Sequence, residues 1–364
     1  MTSKSTLAAV AAVVLVSLTA TGCASGVGAA KTTDEGAAYE EFAGLTGEER
    51  RRTLVAAAEV EGALSLYTSL TEDVLAVLEP AFEEAFDVDV EVYRANSQTV
   101  LTKLTQEHQA GAIGADVVES DSLHLMALNS MGILTEYTGE RRDQVPEAGQ
   151  GENWTATRFN VFAPSWNTDR VSADDVPTSW EDLADPKWDG QLALELGDYD
   201  WYMALSTYWL EQGKTQEEVD ALFGDIVDGG VAYDGHIAMV DRHQSGAFDL
   251  AASNYTYIVE QQKRAGAPLE YAPLVEPVFA RPNGVGLIAQ AEHPAAATLF
   301  ADWMLEEGQV LLAEKGLTTA IVPDGADDPL QHVDVRYVDD GELLENGPEW
   351  EGSYEELLKN AGAQ

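Results

Sequence analysis

Between Ala63 and Glu119 three short apolar runs alternate with two amphipathic stretches, and this alternation limits the possible folds more than any other feature of the chain. Ala63–Thr68 (ALSLYT) has period two and predicts a strand. Val74, Leu78, Phe82 and Phe86 recur every fourth residue and predict one face of a helix, with Pro80 expected to kink or break it. Val88–Arg94 alternates again, and Ser97 is expected to cap a helix whose apolar face is Val100, Leu101 and Leu104. Ala115–Glu119 (ADVVE) is a continuous apolar run, as in a strand buried within a parallel sheet. A β-α-β-α-β order with right-handed crossovers places the strand-to-helix loops along one sheet edge, where open α/β sheets bind ligands.

At 364 residues the chain is long enough for two lobes of about 150 residues each. A second unit is expected from about Trp166, with a strand at Gln191–Glu195, helices near Trp201–Gln212 and Glu217–Val227, and a buried strand end at Leu250–Ala252. Asn254–Tyr257 is read as opening another helix. Leu274–Ala280 and Gly284–Gln290 are read as extended, His293-Pro294 precedes a helix through Leu305, and the acidic tail ends in a short helix near Tyr354–Leu358.

The N-terminus reads as a targeting segment. Lys4 precedes the apolar run Leu7–Leu18, which is too short to span a bilayer and has the length of a signal-peptide core. Ala20-Thr21-Gly22-Cys23 resembles a bacterial lipobox, which implies cleavage before Cys23 and lipidation of its thiol; an ordinary secretion signal with an incidental cysteine is the alternative. Residues 24–36 are small and polar and read as a tether. Cys23 is the only cysteine, so an intrachain disulfide and a cysteine-based zinc site are excluded. Lys plus Arg number 20 against 64 Asp plus Glu, a formal charge of −44 that opposes nucleic-acid binding.

Several segments together resemble the extracellular solute-binding proteins of bacterial ABC importers, in the branch that includes the ferric-iron-binding proteins. They are Leu66–Leu70, Ala115–Glu119, Val161–Asn167, Pro177–Leu183 with Asp185–Trp188, Gly266–Pro268, Ala280–Gly286 and His293–Ala297. The resemblance implies an α/β, two-lobed (type 2) periplasmic-binding fold, each lobe a mixed sheet flanked by helices, with two extended crossovers near Phe159–Pro164 and Leu274–Ala280. The expected organisation is signal peptide 1–22, tether 23–40, first lobe 41–160, second lobe 161–275, a return segment 276–322 to the first lobe, and a tail 323–364 packing on the lobes. It also implies a monomer outside the cytoplasm, held at the membrane by its lipid. Such a protein captures a small molecule or metal for an ABC permease and catalyses nothing.

Candidate ligand contacts follow the predicted strands. They are Thr68, Ser69, Ser97, Gln98, Ser120 and Asp121 in the first lobe, and Tyr199, Trp201, Asn254, Tyr255, Tyr257 and Arg281 in the second. Helix N-termini in the first lobe favour oxygen-rich or anionic groups, though capping explains Ser69 and Ser97 equally well. Arg281 suits a carboxylate or phosphate, or a structural ion pair. Ferric iron as transported ligand needs hard oxygen donors, and Asp121, Tyr255 and Tyr257 are the candidates. The branch's adjacent tyrosine pair is Tyr255-Thr256 here, and the first-strand loop lacks its histidine, so a small anionic or polar organic solute fits these loops better than iron. His236 and His243, seven apart, carry no accompanying HExxH. An extracytoplasmic hydrolase or lyase on a similar scaffold is the alternative, but no convergent base and nucleophile are evident.

Overall fold

The computed structural model describes residues 37–360. The signal-peptide and lipobox readings, Cys23 included, and the tether through residue 36 lie outside them. The strands are β1 (Ala63–Thr68), β2 (Asp89–Arg94), β3 (Val117–Asp121), β4 (Leu134–Thr135), β5 (Thr155–Asn167), β6 (Leu192–Glu195), β7 (Val231–Tyr233), β8 (Leu250–Tyr255), β9 (Leu269–Glu270), β10 (Val278–Ile288), β11 (Thr318–Thr319) and β12 (Val335–Tyr337). The helices are α1 (Glu40–Ala43), α2 (Gly47–Glu61), α3 (Glu72–Phe86), α4 (Ser97–Ala110), α5 (Ser122–Ser130), α6 (Tyr199–Glu211), α7 (Gln216–Val227), α8 (His236–Gln244), α9 (Thr256–Arg264), α10 (Pro294–Met304), α11 (Glu307–Glu314) and α12 (Asp340–Asn360).

The strand order is β2-β1-β3-β10-β5-β8-β6-β7. β1 runs parallel to β2 and β3, and β6 runs parallel to β7 and β8. These two parallel sets are joined through β5 and β10, which pair antiparallel with one another from Phe279↔Phe162 to Val285↔Thr155. Both expected crossovers therefore lie side by side as long strands. The two main hydrophobic clusters divide there: Phe159 and Val161 belong to the first, and Phe162 and Trp166 to the second. Alternation along β10 sends Val278 and Ala280 to the first cluster and Phe279 to the second. Gly284 is required at this seam, because a Cβ there would lie 2.0 Å from the Thr155 carbonyl oxygen, at a register shift in the β5–β10 ladder.

The apolar face of α3 is buried as its spacing predicts, but the helix continues through Pro80. Asn96, not Ser97, caps α4, its Oδ1 accepting from Thr99 N at 2.8 Å. The segments read as two extended runs around residues 274–290 are largely the single strand β10. The tail helix is 21 residues long, far beyond Tyr354–Leu358; it buries Leu343, Tyr354 and Leu358 in the second core and also lies against α5 of the first lobe.

Candidate functional site

In each lobe the parallel strands deliver their carboxyl ends to one edge, where polar side chains collect. Glu119 of β3 organises the first lobe. Its Oε2 accepts from Thr68 Oγ1 at 2.8 Å and from the amide and hydroxyl of Ser69 at 3.2 and 3.3 Å. Its Oε1 accepts from the Arg158 guanidinium at 3.0 Å, and both side chains of this ion pair are almost wholly buried. Thr68 and Ser69 are thus tied to a buried carboxylate, and neither caps α3, whose N-cap position is Thr71.

Asp121 ends β3 and caps α5, accepting from His124 N at 3.2 Å and meeting His124 Nδ1 at 2.6 Å. His124 Nε2 lies 3.3 Å from Gln98 Oε1, which links α4 to α5. Burial works against the Asp121 charge, but His124, Arg281 and the Ser97 hydroxyl outweigh it and hold the carboxyl well below its usual range.

In the second lobe Arg281 of β10 donates to Asp200 Oδ2 and to the Tyr255 hydroxyl, each at 2.6 Å. Its side chain is 18% exposed, and its Nε has no partner among the described residues. Burial opposes the guanidinium charge; Tyr255, Asp200, Asp121 and Asp198 reinforce it. Burial also raises Tyr255 well above the usual phenol range, with Asp200, Asp198 and Glu195 adding to the rise and Arg281 opposing it. The mutual effect of Asp121 and Arg281 brings the two strand-end edges into one electrostatic field.

Asp121, Tyr255 and Arg281 of the sequence-predicted set therefore come together, with Ser97 and Gln98 joined to them through Asp121 and His124. Tyr199 is half-buried and feels Asp200, Arg281 and Asp121. Tyr257 is also half-buried and stacks on Tyr255, centroids 6.1 Å apart at 15°. Trp201 is a correction: it is fully buried between Trp180 and Phe223 in the second core and lines no site. Ser120 and Asn254 are fully buried within β3 and β8; the Asn254 amide reaches Ser165 Oγ at 3.4 Å, and Ser120 Oγ has no partner among the described residues. The two α8 histidines also part company. His236 Nε2 lies 3.0 Å from Asp198 Oδ1, and His243 faces the Asp249 carbonyl at 3.2 Å.

Sequence reasoning does not reach Glu119, His124, Arg158, Glu195, Asp198 and Asp340, and it takes up His236 only beside His243, without the Glu195 and Asp198 that His236 meets. Glu195 and Asp198 immediately follow the apolar run of β6, the same signal that singled out Tyr199. Arg158 and Asp340 had no local signal, since their partners lie far away in sequence.

Two α/β lobes joined by paired crossover strands, with polar strand ends brought together between them, define the two-lobed periplasmic-binding fold. The chain belongs to the bacterial extracellular solute-binding protein family, whose model matches residues 80–329. An uncharacterized protein of Haemophilus influenzae is 25% identical over 272 residues, 71% of this chain and 78% of its own. Among solved structures, iron-bound HitA from Pseudomonas aeruginosa has a TM-score of 0.66 at 20% identity, covering 82% of this chain and 99% of its own. AfuA from Actinobacillus pleuropneumoniae, with fructose-6-phosphate bound, has a TM-score of 0.70 at 21% identity over the same shares. AgtB from Agrobacterium tumefaciens in complex with agropinic acid has a TM-score of 0.65 at 16% identity, covering 82% of this chain and 99% of its own.

Proposed function

We propose that this protein is the solute-capturing component of an ABC importer, held at the outer face of the membrane by a lipid on Cys23. It takes a small polar organic solute carrying an acidic group and passes it unchanged to a permease. The carrying observation is the Arg281 guanidinium, held by Asp200 and Tyr255 at the strand ends of the second lobe with its side chain 18% exposed. A planar guanidinium fixed in this way suits a carboxylate or phosphate. The first lobe supplies hydroxyl and amide groups at Ser97 and Gln98 for the remainder of the solute. Relatives of this fold hold a sugar phosphate and an opine acid.

Ferric iron is the second reading, favoured by the fold of iron-bound HitA and by the ionised Asp121. Against it, the Tyr255 hydroxyl is engaged by Arg281 and its proton is held tightly. Tryptophan fluorescence should be titrated with fructose-6-phosphate, small carboxylates, an opine and ferric citrate. Saturable change with an organic anion, lost in Arg281→Met, supports the proposal. Response to ferric citrate alone, with a visible phenolate-to-iron absorption band, would replace it with the iron reading. Turnover of any of these solutes would return the enzyme alternative.

A further inference from the structure

Beside the Arg281 ion pair the second lobe carries a distinct cluster of donors. Glu195 at the end of β6, Asp198 in the turn before α6 and His236 at the start of α8 each bring one donor atom within 4.8 Å of the others. Glu195 is 8% exposed, and the Asp198 and His236 side chains are 3% and 10% exposed. Their orientations are fixed from outside the cluster. Glu195 accepts from Gly197 N at 2.6 Å and Gly235 N at 2.8 Å, and Asp198 accepts from the Ser253 hydroxyl. The His236 ring lies against Tyr255, centroids 3.7 Å apart, and its Nδ1 is buried without a partner.

The local charge does not balance. Asp200 is answered by Arg281, whereas no Lys or Arg of the described residues forms an ion pair with Glu195 or Asp198. A divalent ion would supply the positive charge that these buried carboxylates lack. The 3.0 Å separation of Asp198 Oδ1 and His236 Nε2 is also what two bonds of about 2.1 Å at a right angle give.

We propose that Glu195, Asp198 and His236 form a resident site for a divalent first-row transition ion, separate from the solute. Two carboxylates and an imidazole suit zinc or manganese better than magnesium or calcium. The ion would tie β6, α6 and α8 together and so fix the lobe edge that presents Asp200 and Tyr255. The proposal holds whichever solute the protein takes.

The test is equilibrium dialysis of the chelator-treated protein against Zn2+, in high salt with excess Mg2+ to suppress loose binding by surface carboxylates. One Zn2+ per chain is expected, with affinity reduced at least about tenfold in both Glu195→Gln and His236→Gln. Co2+ loaded in place of zinc should give visible absorption bands that are absent in His236→Gln. Circular dichroism verifies folding of each variant, and Ser253→Ala, which leaves all three donors in place, provides a milder variant expected to weaken binding. Absence of stoichiometric zinc in the parent, or parental affinity in both donor variants, overturns the site. Solute titration by fluorescence is a separate readout, so failure of the solute reading leaves this result intact.

Discussion

At the residue scale, the first lobe depends on one buried charge. Glu119 serves Thr68, Ser69 and Arg158 at once, and its ion pair with Arg158 is sealed from water. Removing one partner of such a pair strands the other, at a cost of about 3–5 kcal/mol. Arg158→Met should therefore lower the urea-unfolding free energy by that amount, and Glu119→Gln/Arg158→Met together should recover part of the loss. Recovery in the double variant separates stranded charge from simple loss of packing. Thr68 and Ser69 were legible in the sequence because they stand in the turn between a strand and a helix. Glu119 appeared there only as the last residue of an apolar run. Its role depends on Arg158, 39 residues away and on the neighbouring side of β10, a distance that no periodicity can bridge.

At the element scale, α12 is where sequence reading fell furthest short. Gly341, Gly347, Pro348 and Gly352 all weaken helix propensity, and the buried residues Leu343, Tyr354 and Leu358 are too sparse to make a clear stripe. The helix is stabilised instead by its contact with α6 and α7, a tertiary effect. Tyr354 is central to it: the ring stacks on Tyr202 at 5.4 Å and the hydroxyl donates to the Glu195 carbonyl at 2.9 Å. Tyr354→Ala should cost about 3–5 kcal/mol, and Tyr354→Phe about 1 kcal/mol, both measured by denaturant midpoint. The start of the helix makes a pH prediction. Burial, with Asp121 and Asp200, pushes Asp340 up to about 7, while Ser122 and Arg281 pull it down. Between the ordinary value of 3.8 and about 7 the folded protein keeps a proton that the unfolded chain releases, so this residue's contribution to stability falls as pH rises through that window. Asp340→Asn removes the dependence. Its melting temperature relative to the parent should be higher at pH 8 than at pH 5, and a difference independent of pH would contradict the assignment. By contrast α3 and β1 to β3 were plain in the sequence, because each buries a face against its sequential neighbours.

For the whole molecule, two opposed electrostatic effects act on an acidic solute. The formal charge of −44 repels it at a distance, and the screening length of roughly 8 Å at physiological ionic strength confines that repulsion to the last stage of approach. On the proposed reading, Arg281 then engages the solute from a largely buried position that salt screens much less. Added salt should therefore accelerate association and leave dissociation nearly unchanged, because long-range charge mainly sets the encounter rate. Stopped-flow tryptophan fluorescence with fructose-6-phosphate, at low and then high sodium chloride, measures both rates. An association rate that rises several-fold, with dissociation constant to within about a factor of two, is the expected outcome. A rate that falls with salt would mean that a local cationic surface, and not the acidic bulk, governs approach. The two crossover strands give the same experiment a second use. Closure about the β5–β10 pair would move each core as a body, so a slow step that does not vary with solute concentration would report the hinge itself. That step should depend only weakly on salt, since the seam pairs apolar residues at Phe162↔Phe279 and Val161↔Ala280 and its polar members Arg158, Asn160 and Asn283 are buried.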